Sequence, residues 1–466
     1  MTDPICLNNQ APIGISSDCQ YNLKTSSVRG RSYRGSIATS NKSTFAPQDT
    51  AILYIPCGRV GTFLDTNQTY LRFTVENTDS SDNFFVDNIA SSFIERIDIF
   101  HGSNQIESIQ GYNVLMSFLK DFQLNASESY GLSNVYGTSY EASPIDNRKG
   151  LLVAKGQKAT FCIPLLCCMG ILSDKMIPIG QCYSDIRIEI TWASNKEAVC
   201  WEVAGPYDGA FKIDDCQLEL QIVELSDEGM AMVESNTPFS QPVFMHSNSW
   251  RHYSSTLPAT NVGMYSTLVP ARFASLRGLV LCPRRALEMA DFAAYSTSSR
   301  VNPCIQDYCF RIGSSIIPQR HVQLWNASNT GGCGEAFCEI QKFFHGFNHP
   351  EMSSSLAYSQ YNVTDLATAI ATIGGIAEAG LPVLSSSSLA ATSYKNAFAI
   401  AQELELFANR EGILSGLSTL SSQTFFEATI GFGTTNQGPQ CAYTLDFFAN
   451  FDQILVLQNG LLSVRF

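Results

Sequence analysis

Histidine and cysteine supply the cluster of residues whose types best suit metal binding. The sequence has six histidines, and His345 and His349 are four residues apart. Cys333 and Cys338 lie shortly before them, and imidazole with thiolate is a common zinc ligand set. However, His349 precedes Pro350, which disfavours a helix continuing through that residue. No His-x-His pair of the kind used by metal-binding sandwiches occurs either, so we expect no metal and no cofactor.

The motifs of nucleophilic and nucleotide chemistry are missing. The segment Gly412–Gly416 approaches a nucleophile elbow, but its serine comes one place too late. No glycine is followed by lysine, which excludes a Walker-type phosphate loop. Nothing in the sequence therefore points to catalysis or to a small-molecule substrate, and we expect a protein that is not an enzyme. A site assembled from distant residues would leave no such motif.

The segment before the first clear strand is basic within an acidic chain. The formal net charge is −13, which disfavours binding of nucleic acid by the body of the protein. Between Asp18 and Asp49 there is no acidic residue, and Ser, Thr, Gly and Asn are frequent. We predict a flexible basic arm over residues 1–44, which is either a solvated tail or a contact surface. Its candidate contact residues are Lys24, Arg29, Arg31 and Arg34.

Composition favours a folded protein that hides much of its surface in an oligomer. Apolar residues make up 45% of the 466 positions and charged residues only 15%, against about 25% charged in typical soluble domains. The 29 Phe and 18 Tyr suit sandwich cores and interfaces. The 15 cysteines follow no disulfide framework, and the N-terminus has no signal-peptide pattern. Leu366–Leu384 contains Glu378 and Pro382, so we expect a loop or short helix there, not a membrane span.

Alternation of apolar and polar residues predicts a mostly β protein. Ile186–Trp192 is a clear case, because every second residue is apolar. Helical spacing is confined to three short stretches, Tyr112–Phe122, Glu335–Phe347 and Ala397–Phe407. Further strands are predicted at Thr50–Ile55, Ile94–Phe100, Ala159–Pro164, Ala274–Leu281, Phe425–Phe432, Tyr443–Phe448 and Ile454–Phe466.

The two halves of the chain resemble each other. In each half a strand leads into Gly-Ser, at Gly102 and again at Gly313, and a second strand and an aromatic-rich helix follow. Each half then closes with two strong strands, which are Ile186–Trp192 and Cys216–Leu225 in the first half and Tyr443–Phe448 and Ile454–Phe466 in the second. We therefore predict two tandem eight-stranded sandwiches, over residues 45–235 and 236–466, with a loop insertion near residues 348–393 in the second.

Several segments in sequence order resemble the double jelly-roll major capsid proteins of virophages, polintons and polinton-like viruses. The stretch Ser92–Leu115 is similar to the family's strand that ends in Gly and continues through Ile-Glu and Tyr-Asn into a short helix. Asp185–Thr191 resembles a late strand of the first domain. Val269–Arg277 and Phe451–Phe466 resemble an early segment and the closing strand of the second.

The resemblance implies a structural protein of the virion. It implies homotrimers with a pseudo-hexagonal outline, which tile an icosahedral capsid around double-stranded DNA after assembly in the host cytoplasm or nucleus. Neighbouring capsomers, penton proteins and minor or cement proteins would be the partners. The basic arm would face inward, toward minor proteins or DNA phosphates. Two rival classes remain, a glycan-binding sandwich such as a lectin or adhesin, and a sandwich enzyme.

Overall fold

The computed structural model describes residues 30–124, 131–138, 150–167, 176–201, 209–236, 238–292, 294–324, 334–344, 356, 361, 396–406, 415–431 and 438–465. Antiparallel strands dominate and fall into two groups along the chain. Strands before residue 226 pair only with one another in the described part, and so do strands after residue 242. The prediction of a mostly β protein with two tandem sandwiches is confirmed.

The first sandwich has two main sheets and one small sheet. Their strand orders are β1-β12-β4-β9, with β2 beside β12, then β3-β10-β6-β7, and the small β11-β5-β8. The strands are β1 (Gly30–Ala38), β2 (Thr44–Phe45), β3 (Thr50–Ile55), β4 (Thr62–Asn77), β5 (Phe84–Val86), β6 (Ile94–His101), β7 (Asn104–Gln110), β8 (Leu152–Val153), β9 (Lys158–Pro164), β10 (Ile186–Trp192), β11 (Val199–Trp201) and β12 (Phe211–Leu225).

The second sandwich repeats the two main sheets. Their strand orders are β13-β20-β15-β18, with β21 beside β20, and β14-β19-β16-β17. The strands are β13 (Val243–Leu257), β14 (Gly263–Val269), β15 (Leu276–Arg285), β16 (Ile305–Ile312), β17 (Ser315–Gln323), β18 (Ile400–Glu403), β19 (Thr424–Ile430), β20 (Tyr443–Gln458) and β21 (Leu461–Arg465).

The two sandwiches are equivalent strand by strand, because corresponding strands occupy the same positions in their sheets. The hairpin β6–β7 corresponds to β16–β17, and its turn glycine is left-handed in both copies, with φ +59° at Gly102 and +60° at Gly313. Only glycine adopts this conformation freely, which explains the repeated Gly-Ser in the sequence. The sequence comparison aligned the closing strands wrongly, since β10 and β12 correspond to β19 and β20, whereas β21 is an extra strand.

Aromatic side chains join the two sheets of each sandwich. In the first, the rings of Phe73 on β4 and Trp192 on β10 are 5.3 Å apart, and both are fully buried. In the second, Phe447 on β20 and Phe426 on β19 are 5.6 Å apart. Alternating apolar and polar residues favour strands with one buried face. In β10, for example, buried residues alternate with half-buried ones along the whole strand.

Short helices connect the strands. They are α1 (Tyr112–Gln123), α2 (Ser133–Tyr136), α3 (Asn195–Ala198), α4 (Asp227–Asn236), α5 (Ala286–Ala290) and α6 (Glu335–Phe343), with short 3-10 turns at Ala90–Phe93 and Ile179–Gln181. The helices α1 and α6 follow β7 and β17, so they are equivalent too. α4 lies between the two groups of strands. No helix in the described ranges is long and apolar enough to cross a membrane, and Leu366–Leu384 lies outside them.

Four sequence predictions need correction or fall outside the described residues. The flexible arm was predicted to extend to residue 44, but residues 30–38 form β1 in continuous register with β12. Ala397–Phe407 was predicted as a helix, yet Ile400–Glu403 is strand β18. Tyr443–Phe448 and Ile454–Phe466 were predicted as separate strands, whereas β20 spans all of the first and the start of the second, and β21 forms most of the remainder. Of the predicted insertion at 348–393, only residues 356 and 361 are described.

Candidate functional site

Two of the predicted contact residues, Arg31 and Arg34, lie on the edge strand β1 of the first sandwich. Lys24 and Arg29 lie outside the described residues. Arg34 is on the outer face of β1, opposite Tyr33 and Ile37, which turn toward the core. Arg31 is near the start of β1 and on the same face as Tyr33, over whose ring its guanidinium lies. Because β1 is the outermost strand of its sheet, both arginines are more than half exposed, at 64% and 57% of their side-chain surface.

Arg34 pairs with a carboxylate that is almost completely buried. Its Nε lies 2.7 Å from Oε2 of Glu219 on β12, and the Glu219 side chain is only 3% exposed. The Ser36 hydroxyl donates a further hydrogen bond to the same carboxylate, at 3.2 Å. The hydrogen bond from Arg34 is the main reason that the pKa of Glu219 is lowered below its usual value. Arg34 therefore ties β1 to β12.

Acidic partners also neutralise the other cations at the edge of this sheet and on its outer face. Arg31 and Arg59 both lie 2.7 Å from the carboxylate of Glu224. Lys158 on β9 bridges Glu76 and Asp214 at 3.0 and 3.1 Å. A phosphate would have to compete with these carboxylates for each cation, so the face lacks the unbalanced positive charge that nucleic-acid binding requires. Contact of Arg31 and Arg34 with DNA stays a prediction that their ion pairs do not favour.

Buried charge is concentrated where the two sandwiches meet. Arg300 of the second sandwich is fully buried and forms an ion pair with Asp121 of α1 in the first. The Arg300 guanidinium also donates hydrogen bonds to the Ser117 hydroxyl and to the Phe398 carbonyl oxygen, both at 3.3 Å. The backbone N–H of Thr297 donates to the Asp87 carboxylate at 2.9 Å, again across the boundary. Such contacts hold the sandwiches in one relative position.

A second buried network lies on the same boundary. Asp446 on β20 is 1% exposed and accepts from Arg284 Nε at 2.6 Å, while His252 Nε2 lies 2.8 Å from its other oxygen. Burial alone would raise the pKa of Asp446, but Arg284 and then His252 lower it below the usual value. Gly111 of the first sandwich packs on this network, because a Cβ atom there would lie 3.4 Å from the His252 ring.

The two equivalent helices also meet at the boundary. The ring of Phe344, just after α6, lies 5.6 Å from Phe118 and 6.2 Å from Phe122, both on α1. Phe337 on α6 is 6.4 Å from Phe122. The aromatic spacing that predicted both helices from sequence thus has a common cause, since each helix directs its rings toward the other.

Strands and loops at the edges of the sheets also form hydrogen bonds between the two sandwiches. The Ser249 hydroxyl of β13 donates a hydrogen bond to Glu107 of β7, and both residues are buried. The backbone N–H of Leu462 on β21 donates to His101 Nδ1 at 3.1 Å, and the N–H of Tyr183 donates to the Gly460 carbonyl at 3.0 Å. Apolar, charged and edge contacts therefore all join the two sandwiches.

The described residues give little support for a metal site. No group of three histidine, cysteine or acidic residues that could hold a metal occurs among them, and His345, His349 and Cys333 lie outside the described ranges. His246, like His252, is bonded to a carboxylate within the chain, and so is His321.

A cleft of about 220 Å³ opens at the boundary, between α1 and β13. It is lined by Trp250, Arg277 and Glu403, among others. Trp250 is only 5% exposed, and Trp192 and Trp201 at most 1%. None of these three rings offers the open face on which a sugar would stack.

Comparison with solved structures identifies the fold. No family model and no curated protein matches the chain. The VP54 protein of PBCV-1, fitted into a cryo-EM reconstruction of the virophage Sputnik, superposes with a TM-score of 0.60 and 10% identity, covering 96% of this chain and 100% of that one. The fold is a double jelly roll.

Two virophage structures show the same double jelly roll. A Sputnik chain determined by cryo-EM has a TM-score of 0.55 and 11% identity, covering 98% of this chain and 94% of that one. The major capsid protein of mavirus has a TM-score of 0.53 and 11% identity, covering 98% and 95%. At these identities the likeness is one of fold. It extends over both sandwiches and the junction between them.

Proposed function

We propose that this chain is a viral major capsid protein that is not an enzyme. The observation that supports this proposal most strongly is the match of the whole double jelly roll to the PBCV-1 protein, with 96% of this chain covered. The mavirus protein is itself a major capsid protein. A rigid pair of equivalent sandwiches is the unit from which three chains make a pseudo-hexagonal capsomer.

The proposal includes its partners and location. Homotrimers would tile an icosahedral shell around a double-stranded DNA genome, beside penton and minor or cement proteins, after assembly in the host cytoplasm or nucleus. Obligate oligomers have large apolar interfaces, which suits a chain with 15% charged and 45% apolar residues. A glycan-binding role is less well supported, because the described tryptophans are buried.

Light scattering coupled to size exclusion tests the proposal. We expect the purified protein to elute with three times the chain mass of 51.1 kDa, or as larger assemblies. A monomer at every concentration up to the millimolar range would contradict it. A glycan array run in parallel tests the rival class, and specific glycan binding by a monomer would favour the lectin interpretation.

A further inference from the structure

Two cysteines of the first sandwich meet just beyond the paired ends of β3 and β10. Ile55 and Ile186 are the register partners at this end of the two strands. Cys57 follows shortly after β3, and Cys182 comes shortly before β10. Both are free cysteines, and their thiols are hydrogen-bonded to each other. The two sulfur atoms are therefore a reduced pair in contact.

The backbone around the pair keeps the two thiols together. The N–H of Gly58 donates to the Ile179 carbonyl oxygen at 3.1 Å, and a Cβ atom at Gly58 would lie 3.7 Å from the Cys182 carbonyl oxygen. The N–H of Cys57 donates to the Asp185 carboxylate at 3.0 Å. A disulfide forms readily only between cysteines whose backbones are already close. These two segments meet that requirement through contacts that do not involve the sulfur atoms.

One thiol of the pair is accessible and the other is shielded. Cys57 is half-buried, whereas Cys182 is only 2% exposed. The hydrogen bond from Cys57 lowers the pKa of Cys182 below its ordinary value, against the effect of its burial. After the first ionisation one proton lies between the two sulfur atoms, so the pair behaves as a single thiol–thiolate group. An accessible thiol with a second thiol directly behind it is the arrangement of an attacking and a resolving cysteine.

We propose that Cys57 and Cys182 are a site of reversible oxidation, at which a small disulfide such as oxidised glutathione converts the two thiols into a disulfide within the chain. The Cys57 thiolate attacks one sulfur of oxidised glutathione, whose S–S bond breaks and releases one glutathione. The Cys182 sulfur then attacks Cys57 in the mixed disulfide and displaces the second glutathione. The two thiol protons pass to the two departing glutathiones, and the chain loses two electrons. This inference goes beyond the proposed function and requires no oligomer.

The disulfide fixes a part of the first sandwich that contacts the second. Directly after Cys182, the N–H of Tyr183 donates to the Gly460 carbonyl oxygen in the turn between β20 and β21. The Tyr183 ring lies 5.3 Å from the ring of His101, whose Nδ1 accepts from the N–H of Leu462. The bond also joins positions far apart in the sequence, which restricts the unfolded chain strongly. Oxidation therefore stabilises the fold when the protein passes from a reducing to an oxidising medium.

Mass spectrometry of the full-length protein, before and after incubation with oxidised glutathione, tests the site. We expect a loss of about 2 Da, for the two hydrogens removed, and a Cys57–Cys182 peptide after proteolysis without reductant. The thermal midpoint should rise by about 3 °C or more, and dithiothreitol should reverse the change. Neither effect should occur in Cys57→Ser. Cys162→Ser is the matched control and should keep both effects, because Cys162 is also a half-buried cysteine of the first sandwich.

Three results would overturn the proposal. They are wild-type protein that stays reduced, a glutathione adduct that remains on Cys57 without a cross-link, and a disulfide from either cysteine to a different partner. If Cys57→Ser does not fold, labelling of the native wild-type protein with a maleimide decides. Cys57 should be labelled before oxidation and not after it, and unchanged labelling would refute the site. The thiol state can be read on monomers and trimers alike, so none of these results decides the capsid proposal.

Discussion

At the scale of residues, the charged groups that matter most are those that join the sandwiches. Arg300 and Asp121 are 179 positions apart, so no local pattern could have paired them. The sequence drew attention to Arg31 and Arg34 instead, because they stand out in an acid-free segment. The structure shows why that signal was weak evidence for DNA contact. Their carboxylate partners, Glu224 and Glu219, lie almost two hundred residues away on a strand that folds back beside them.

Replacing Arg300 should destabilise the protein strongly. Arg300→Ala removes a fully buried cation and leaves Asp121, which is only 11% exposed, without its main counter-charge. Loss of one partner of a buried ion pair costs about 3–5 kcal/mol. The free energy of unfolding in urea measures the loss. Arg320→Ala, at an exposed position on β17, is the control and should change stability by no more than about 0.5 kcal/mol. Equal effects from both variants would contradict the structural role of Arg300.

Asp446 should contribute to the acid sensitivity of the fold. Its pKa is lower in the folded chain than its ordinary value because of Arg284 and His252, despite its burial. A carboxylate of this kind stabilises the fold at pH above its unfolded pKa of about 3.9, and the contribution is lost as the pH falls through the folded pKa. Asp446→Asn should therefore be less stable than wild type at pH 7 and lose less stability between pH 5 and pH 2. Parallel pH profiles of the urea midpoint for the two proteins would argue against this.

At the scale of elements, alternation predicted strands that have one face in the core and one in solvent. Ile186–Trp192 is such a strand and was predicted with its observed bounds. Alternation did not predict the strands whose two faces are both covered by other parts of the chain. Ile400–Glu403 is buried on both sides, and β20 is buried over nearly all of its length. The outer face of this sheet is covered by α6, whose Phe343 approaches Gly278, and by Gly111 of the first sandwich, which packs on Phe448. Continuous apolar runs do not distinguish helix from strand.

β1 was missed for the opposite reason. It directs only Tyr33, Gly35 and Ile37 toward the core and is otherwise polar, so it resembles a linker. Two truncations test its role. Deletion of residues 1–29 should leave the thermal midpoint unchanged, whereas deletion of residues 1–44 should lower it, because β12 loses its neighbour and Glu219 loses Arg34. Equal midpoints for the two truncations, measured by calorimetry, would show that β1 is dispensable.

A close approach of backbone and ring should make Gly278 intolerant of substitution. A Cβ atom at this position of β15 would lie 2.4 Å from the ring of Phe343 on α6, and 2.9 Å from the Gln402 carbonyl oxygen. Gly278→Ala should cost about 1–3 kcal/mol through forced repacking. Gly131→Ala is the control, since nothing lies within 4 Å of that Cβ position. A Gly278→Ala variant as stable in urea as Gly131→Ala would mean that α6 moves away at no cost.

At the scale of the whole molecule, the internal repeat in the sequence predicted two sandwiches, and the structure shows them with identical main-sheet orders. The sequence did not show how the two would meet, because the contacts of Arg300, Asp446 and Ser249 join positions far apart in the chain. That junction turns two sandwiches into one rigid unit. The capsid account rests on this unit and on its likeness to the PBCV-1 and mavirus proteins.

Negative-stain electron microscopy of the expressed full-length protein tests the account most directly. We predict particles with threefold symmetry and a hexagonal outline, in which six similar densities alternate between two kinds of contact. Larger assemblies should show these particles packed side by side. Single two-lobed particles at all concentrations, or rings with a number of chains other than three, would contradict the account.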